Sequence, residues 1–523
     1  MAGLCGFLIA QPQDGGADHA LASMARAMDP RGPAGRVTRC LDGVALTALI
    51  DRDEQGGIAA SEGWTVAIAG ALQNARALRT ELSARDVPCE TEAAIVAHVI
   101  GEVGFERALG RFEGALALAA WDAEHRRLWL SRDASGVHPV YTAPFRGSIA
   151  FSTDLAALAR VTSAPVARQQ VQAYLVLGQL PPPQSWMPNA RALAAGTLTR
   201  IDTSGTTELR WYEAGINPSG RSGNRERWAK SLGFAIDLAI RRGSEGECAA
   251  LLVDDDASVL LDASLPPHVA RLGTAETQTD IEELLAAWPF PEPVSDARIV
   301  SMWCAARMAW ATGKTALILP LGAETMLGGT ERVRPLARLR ARFAADGLGH
   351  RHLAAAQGFA LPAEELLPVW SEFDALNAAC PEADDSAVAT WFLRRLWLPE
   401  RSYRAAEFAT AAHAVELRLP FADAALNRIA TQIPTGLLPG LVSKGGPRRR
   451  ATLRDQPPGS ALAAWSRSSP SLDSLAGKLA GWIDEDHVAS LVRNHRERGA
   501  DYTARLWALS ALAAWRAVTP SAG

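Results

Sequence analysis

Apolar positions along the first two hundred residues recur in short runs. Val44–Ile50, Thr65–Ala69, Ala115–Trp121 and Leu128–Leu130 are strand-sized, and turn residues such as Asp42-Gly43 and Asp133 to Gly136 border several of them. Between these runs the period lengthens. Asn74–Arg85 and Glu92–Glu102 have helical spacing, with Ala93, Val96 and Ile100 on one face. Many short strands with a few helices predict a layered, sheet-rich unit. The polar stretch Asn217 to Asn224 reads as a linker. After it Trp228, Leu232, Ile236 and Ala239 form a helical stripe, followed by the buried-strand run Ala249–Val253, then Asp254-Asp255-Asp256 and another helical pattern. Ile299, Trp303, Ala306 and Trp310 mark one more helix, and Thr315–Leu319 a second buried strand. Strand and helix in alternation predict a parallel α/β sheet. From about Arg332 onward the pattern is almost wholly helical. The expected organisation is therefore a first domain over 1–215, a linker over 216–224 and a second domain over 225–523.

Composition narrows the class without naming a chemistry. With 53 Lys and Arg against 57 Asp and Glu the net charge is −4, so the basic excess of a general nucleic-acid binder is missing. A 523-residue chain that is 48% hydrophobic can bury large cores, yet no run of about 18 apolar residues suggests a membrane span. The start MAGLCGFLIA has no basic segment, and no small-residue cleavage site follows it, so it does not read as a signal peptide. Six scattered cysteines without a C-x-x-C pair suit reduced core thiols and a cytoplasmic location.

Three stretches together carry a resemblance. Glu113 to Asp122, with Ser131 to Tyr141 and Phe151 to Asp154, resembles the glutaminase-type half of asparagine synthetases. Leu319 to Gly329 is similar to the GEGADELFGG segment of their second domain. Glu416-Leu-Arg-Leu-Pro-Phe-Ala-Asp423 is similar to their E-x-R-x-P-F-x-D signature. The order holds from residue 1 to about 455, and the set of relatives includes β-lactam synthetases and lasso-peptide cyclases. The resemblance implies an N-terminal-nucleophile-type αββα sandwich followed by an adenine-nucleotide α-hydrolase α/β domain with a helical C-terminal part. It also implies ammonia release from glutamine in the first domain, and in the second carboxylate activation as an acyl-adenylate using ATP and Mg²⁺. A shared fold does not grant that chemistry, so each position is weighed by its own residue.

The glutaminase positions are depleted. The family exposes an N-terminal cysteine whose thiol attacks while its own amine serves as base. Here Ala2 stands in that position, and Cys5 falls inside the first strand as a core thiol. The family's Asn-Gly-Glu segment is Ala69-Gly70-Ala71, and no arginine stands within Leu46–Asp51 to hold a glutamine carboxylate. Losing an oxyanion donor alone typically costs about 10²–10³-fold. The expectation is a domain that does not hydrolyse glutamine.

The synthetase positions are mixed. The family's S-G-G-x-D-S loop closes backbone amides on phosphates at a helix N-terminus. The same place here reads Val253-Asp254-Asp255-Asp256-Ala257-Ser258, where carboxylates would meet a triphosphate and where Asp255, Asp256 or Ser258 is suited to cap the helix. An alternative is that these aspartates hold Mg²⁺. Glu324 stands where the family has a magnesium-side aspartate, Glu292-Pro293 resembles its D-E-P, and Glu416, Arg418 and Asp423 match its signature. Lys444 lies near the family's late lysine, ahead of the basic run that includes Arg450. Leu265 to Pro289 reads as a trimmed form of the segment that holds adenine. Two readings stand. One is an ATP-dependent amide ligase without glutaminase, its amine borne by the substrate, with Glu292, Glu416, Arg418, Lys444 and Arg450 as catalytic candidates. The other is a pseudoenzyme scaffold that keeps the fold, needs no cofactor and acts with a peptide precursor or an active paralogue. Oligomeric state and substrate are not legible.

Overall fold

The computed structural model describes residues 2–9, 17–51, 56–87, 89–213, 215–253, 255–273, 276–323, 325, 378–439, 441, 461–497, 499 and 501–519. Twelve strands fill the first part: β1 (Gly3–Leu8), β2 (Gly35–Leu41), β3 (Val44–Ile50), β4 (Gly57–Ser61), β5 (Trp64–Gly70), β6 (Leu116–Asp122), β7 (Arg127–Ser131), β8 (Tyr141–Phe145), β9 (Ser148–Ser152), β10 (Arg191–Ala192), β11 (Thr197–Asp202) and β12 (Gly205–Arg210). They make two six-stranded sheets, ordered β10-β8-β9-β1-β3-β2 and β12-β11-β7-β6-β5-β4, whose paired strands run antiparallel.

Side-chain alternation explains why the sheets stack. Along β3, Val44, Leu46 and Ala48 enter the layer between the sheets with Leu4, Ala67, Ala117 and Leu128. Ala45 and Leu49, on the other face of β3, join Cys5, Phe7 and Met24 under the helix Ala17–Arg26. On the second sheet the helix Glu92–Val103 buries Ala93, Val96 and Ile100, the face its spacing predicts. Strands buried on both faces thus lie between helices, which is the αββα sandwich.

The second part is built on four parallel strands in the order β14-β13-β15-β16: β13 (Cys248–Leu251), β14 (Ala270–Leu272), β15 (Ala316–Ile318) and β16 (Glu416–Arg418). Helices Arg225–Arg242, Gln278–Ala287 and Ile299–Ala311 flank it, and helices including Arg404–Ala411 and Thr503–Val518 follow. The segment Leu265 to Pro289 contains a strand, β14, in register with β13 through Ala249 opposite Ala270. After residue 332 the described elements are helical as expected, apart from Glu416–Arg418, which completes the sheet beside β15. Trp310 is half-exposed although its spacing places it with Ile299 and Ala306, since nothing described covers the last turn of that helix. No helix among the described residues is long and apolar enough to cross a membrane.

The stretch read as a linker starts firmly pinned. Asn217 is buried, donates to the carbonyls of Ala430 and Ile433 at 2.8 Å, and accepts from Arg394 at 2.7 Å.

Candidate active site

Where β1 begins and β5 ends, the two parts of the chain enclose a cavity of about 350 Å³. Ala2, Asp51, Gly70, Ala71 and Glu92 line it from the sandwich, and Arg242, Glu416, Arg418 and Asp423 from the second part. Ala2 is fully buried at this wall and carries only a methyl group where a thiol would be needed. Ala69 lies behind the wall in the inter-sheet core. Gly70 has a φ of +102°, and a Cβ there would meet the Ala115 carbonyl at 2.1 Å and His138 Nε2 at 2.6 Å. Cys5 faces the helical side of its sheet rather than the cavity, and burial pushes its thiol up to about 12, so it supplies no thiolate.

The titratable groups of this cavity are displaced by burial. His138 is fully enclosed, and burial with the nearby Arg31 holds its imidazole down at about 3, hence neutral. Asp133 accepts the N–H groups of Ser135, Val137 and His138 at 3.0–3.1 Å, yet burial still raises its carboxyl. Glu92 opens a helix capped by the Thr91 hydroxyl and accepts from Leu72 N–H at 2.9 Å. Burial first, then the charges of Glu416 and Asp51, raises it to about 7. Glu92 is not legible as a site residue from sequence, because an acid in a first helical turn is ordinary. Its shift comes chiefly from burial, with a further push from Glu416, which arrives from the other half of the chain.

Glu416 and Arg418 are joined to one another at 2.7 Å, and Arg418 also donates to the Gly243 carbonyl at 3.3 Å and to that of Glu245. Asp423 caps the helix Ala424–Ala430 by accepting from Leu426 N–H at 2.7 Å. Glu416 and Arg418 lie beside the described start of the Leu319 segment. Ile318 pairs with Arg418, Leu319 N–H donates to the Arg418 carbonyl at 3.0 Å, and Gly322 packs on Phe421. Residues 326–329 of that segment lie outside the described residues, as do Asp254, Glu324, Lys444 and Arg450.

The loop after β13 closes on itself. Asp255 Oδ1 accepts from Ser258 N–H at 2.7 Å, Ser258 Oγ accepts from Val253 N–H at 2.9 Å, and Asp255 N–H donates to the Val253 carbonyl at 2.8 Å. Asp255 is thus the N-cap of the helix Asp256–Asp262, and Ala257 is buried against the sheet core. The amides of Val253, Asp255 and Ser258 are engaged by the chain's own oxygens. A triphosphate gripped by these three amides would have to displace those bonds.

Glu292 stands apart from the cavity. It accepts from the Tyr141 hydroxyl and pairs with Arg404 at 3.2 Å, while burial and neighbouring Glu400 raise its carboxyl well above the usual range. Arg404 also meets Glu400 at 2.8 Å, and Glu400 meets Arg132 at 2.6 Å; Arg31 meets Asp154 at 3.0 Å and also Glu407. Arg132 with Glu400, Arg31 with Glu407 and Tyr141 with Glu292 join the sandwich to the second part. Pattern reading could not find them, because the partners are brought together only by the fold.

Two family models match this chain in tandem, the glutamine amidotransferase domain over residues 1–212 and asparagine synthase over residues 262–441. The chain belongs to the asparagine synthetase family. Proteins of Mycobacterium bovis and Mycobacterium tuberculosis named "Putative asparagine synthetase (glutamine-hydrolyzing)" are each 23% identical, across 78% of this chain and 77% of theirs. Two solved structures show slighter likeness. One, titled as the allosteric regulatory enzyme of purine biosynthesis, is 13% identical over 52% of this chain and 65% of its own, at a TM-score of 0.31. The other, glutamine phosphoribosylpyrophosphate amidotransferase from B. subtilis, is 12% identical over 61% and 81%, at a TM-score of 0.30. In this member of the asparagine synthetase family the loop Val253–Ser258 falls just ahead of the matched asparagine synthase region.

Proposed function

We propose that this family member is a pseudoenzyme scaffold: it keeps the two-part architecture, does not hydrolyse glutamine and does not use ATP. The observation that carries the reading is the closed loop after β13, where Asp255 and Ser258 occupy the amides that phosphate oxygens would need. Buried Ala2 at the first cavity supports the same conclusion for glutamine. The scaffold acts in the cytoplasm with a peptide precursor or with an active paralogue. The ligase reading, macrolactam formation in the manner of lasso-peptide cyclases, requires the loop to open and its carboxylates to tolerate or chelate the nucleotide. Carboxylates facing phosphate at roughly 4 Å would cost about 4 kcal/mol each at an effective dielectric of 20.

Incubation of the protein with glutamine tests the first half of this reading. Ammonia should not exceed a no-protein control, and Ala2→Cys should leave it there, because Ala69 and Ala71 still provide no oxyanion or substrate contact. Steady ammonia release by the unaltered chain would overturn it.

A further inference from the structure

A second and larger cavity, about 620 Å³, lies between the sandwich and the second part. Its walls are rings: Trp186 from the sandwich, with Trp288, Phe290, Phe408 and Trp515 from the second part. Trp186 and Trp515 lie 4.6 Å apart between centroids, Trp288 and Phe290 5.2 Å, and Phe290 and Phe408 5.8 Å. Small side chains, among them Ala156 and Ala412, leave room beside the rings. A concave, mostly apolar space of this size with a few polar groups is what small-molecule sites look like.

Most polar groups on the lining are already engaged. Trp288 Nε1 donates to the Glu292 carbonyl at 3.2 Å and Trp515 Nε1 to that of Pro291 at 2.8 Å, so both indoles offer the cavity carbon. Thr162 Oγ1 accepts from Asn189 at 2.7 Å, and Thr519 Oγ1 donates to the Trp515 carbonyl at 2.9 Å. Arg31 and Asp154 pair at 3.0 Å, and Arg31 is held as well by Glu407, which does not line the cavity. Arg160 and Ser163 are exposed, and an ion pair in water gains little. An ion of either sign would therefore lose its water among the rings with no uncommitted buried charge to meet it, which is costly. Trp186 is the exception among the indoles. It is 2% exposed, and its N–H meets no acceptor among the described residues. A buried donor in that state favours a ligand that brings it an uncharged oxygen.

We propose that this cavity binds an uncharged small molecule with a multi-ring apolar body, seated among Trp186, Trp288, Phe290 and Trp515, and with a carbonyl or ether oxygen that accepts from Trp186 Nε1. The site needs neither a nucleotide nor a thiol, so it stands whether or not the scaffold reading holds.

Equilibrium dialysis of the full chain against 1-acetonaphthone, 1-naphthoate and 1-naphthylmethylamine separates charge from shape, since all three share one apolar body. The ketone should bind at least about tenfold more tightly than either ion. Trp186→Phe keeps a ring but removes the donor, so it should weaken the ketone about fivefold more than it weakens 1-ethylnaphthalene. Ala412→Phe, which fills the space, should weaken the ketone by about tenfold or more. Ala156→Phe provides the same test if Ala412→Phe does not fold. Either ion binding as tightly as the ketone would overturn the uncharged class. Equal losses for the ketone and 1-ethylnaphthalene in Trp186→Phe would overturn the oxygen contact. Failure of the ketone to bind, or binding unchanged in a folded filling variant, would overturn the site.

Discussion

The seam between the two parts and the two stations where the family's reactions are expected treat polar groups in opposite ways. At the seam Arg31, Arg132 and Arg404 are buried with Asp154, Glu292, Glu400 and Glu407 in direct pairs. At the stations the polar groups of the family's chemistry are replaced by Ala2 and Ala71 at one end and turned inward by Asp255 and Ser258 at the other. Buried charge is tolerated only where it is paired, and breaking a pair leaves its partner stranded. The difference teaches that the joint between the halves is held by charges belonging to neither station, which is what the proposed scaffold reading needs.

The strongest way to break that comparison is Glu400→Ala, which leaves both Arg132 and Arg404 without their shared carboxylate. It should cost about 3–5 kcal/mol, read as a lowered denaturant midpoint. A loss within a few tenths of a kcal/mol would mean the seam is ornamental.

Glu92→Gln sharpens the other side of the comparison, because it touches the stations. Glu92 titrates at about 7 in the folded chain against an ordinary 4.5. The folded state therefore holds an extra proton between those values, and the stability this contributes is present below about 4.5 and lost as pH rises through 7. A glutamine keeps an acceptor for Leu72 N–H and removes the burdened charge. It should raise the melting temperature at pH 8 and change it little at pH 5. A fall at pH 8 would show the carboxylate to be held by attraction instead.

The smallest expected effect is at the loop. Asp255→Ala removes the cap and should cost about 0.5–2 kcal/mol in chemical unfolding, with no effect on the sandwich. An unchanged midpoint would say that the cap is not what closes this loop.

Much of this architecture is legible in sequence because it is periodic or local. The β3 run Val44–Ile50 and the face of Ala93, Val96 and Ile100 follow from spacing alone, and a cap among Asp255, Asp256 and Ser258 follows from their place between strand and helix, the fold choosing Asp255. The seam is not legible, since Arg31 and Glu407 stand 376 residues apart and each alone looks like a solvated charge. Glu292 shows the same limit. Its Glu-Pro context matches a family motif but gives no sign of its partners Tyr141 and Arg404, which lie more than a hundred residues away on either side. Glu416 and Arg418 are legible by motif, but their place on a sheet edge, lining one cavity with Ala2 and Glu92, is not, because a three-residue strand has too few positions to show a period.

Calorimetry with ATP and Mg²⁺ tests the central claim most directly. Lost amide contacts forfeit about 1–3 kcal/mol each, and a micromolar site supplies only about 8 kcal/mol in all. Two such losses with one repulsive carboxylate therefore leave a dissociation constant in the millimolar range or weaker. The account predicts that result for the unaltered chain, and measurable tightening when Val253–Ser258 is rebuilt as Ser-Gly-Gly-x-Asp-Ser. Micromolar binding by the unaltered chain, abolished by Asp255→Ala, would contradict it and show the loop's carboxylates holding the metal of a working nucleotide site.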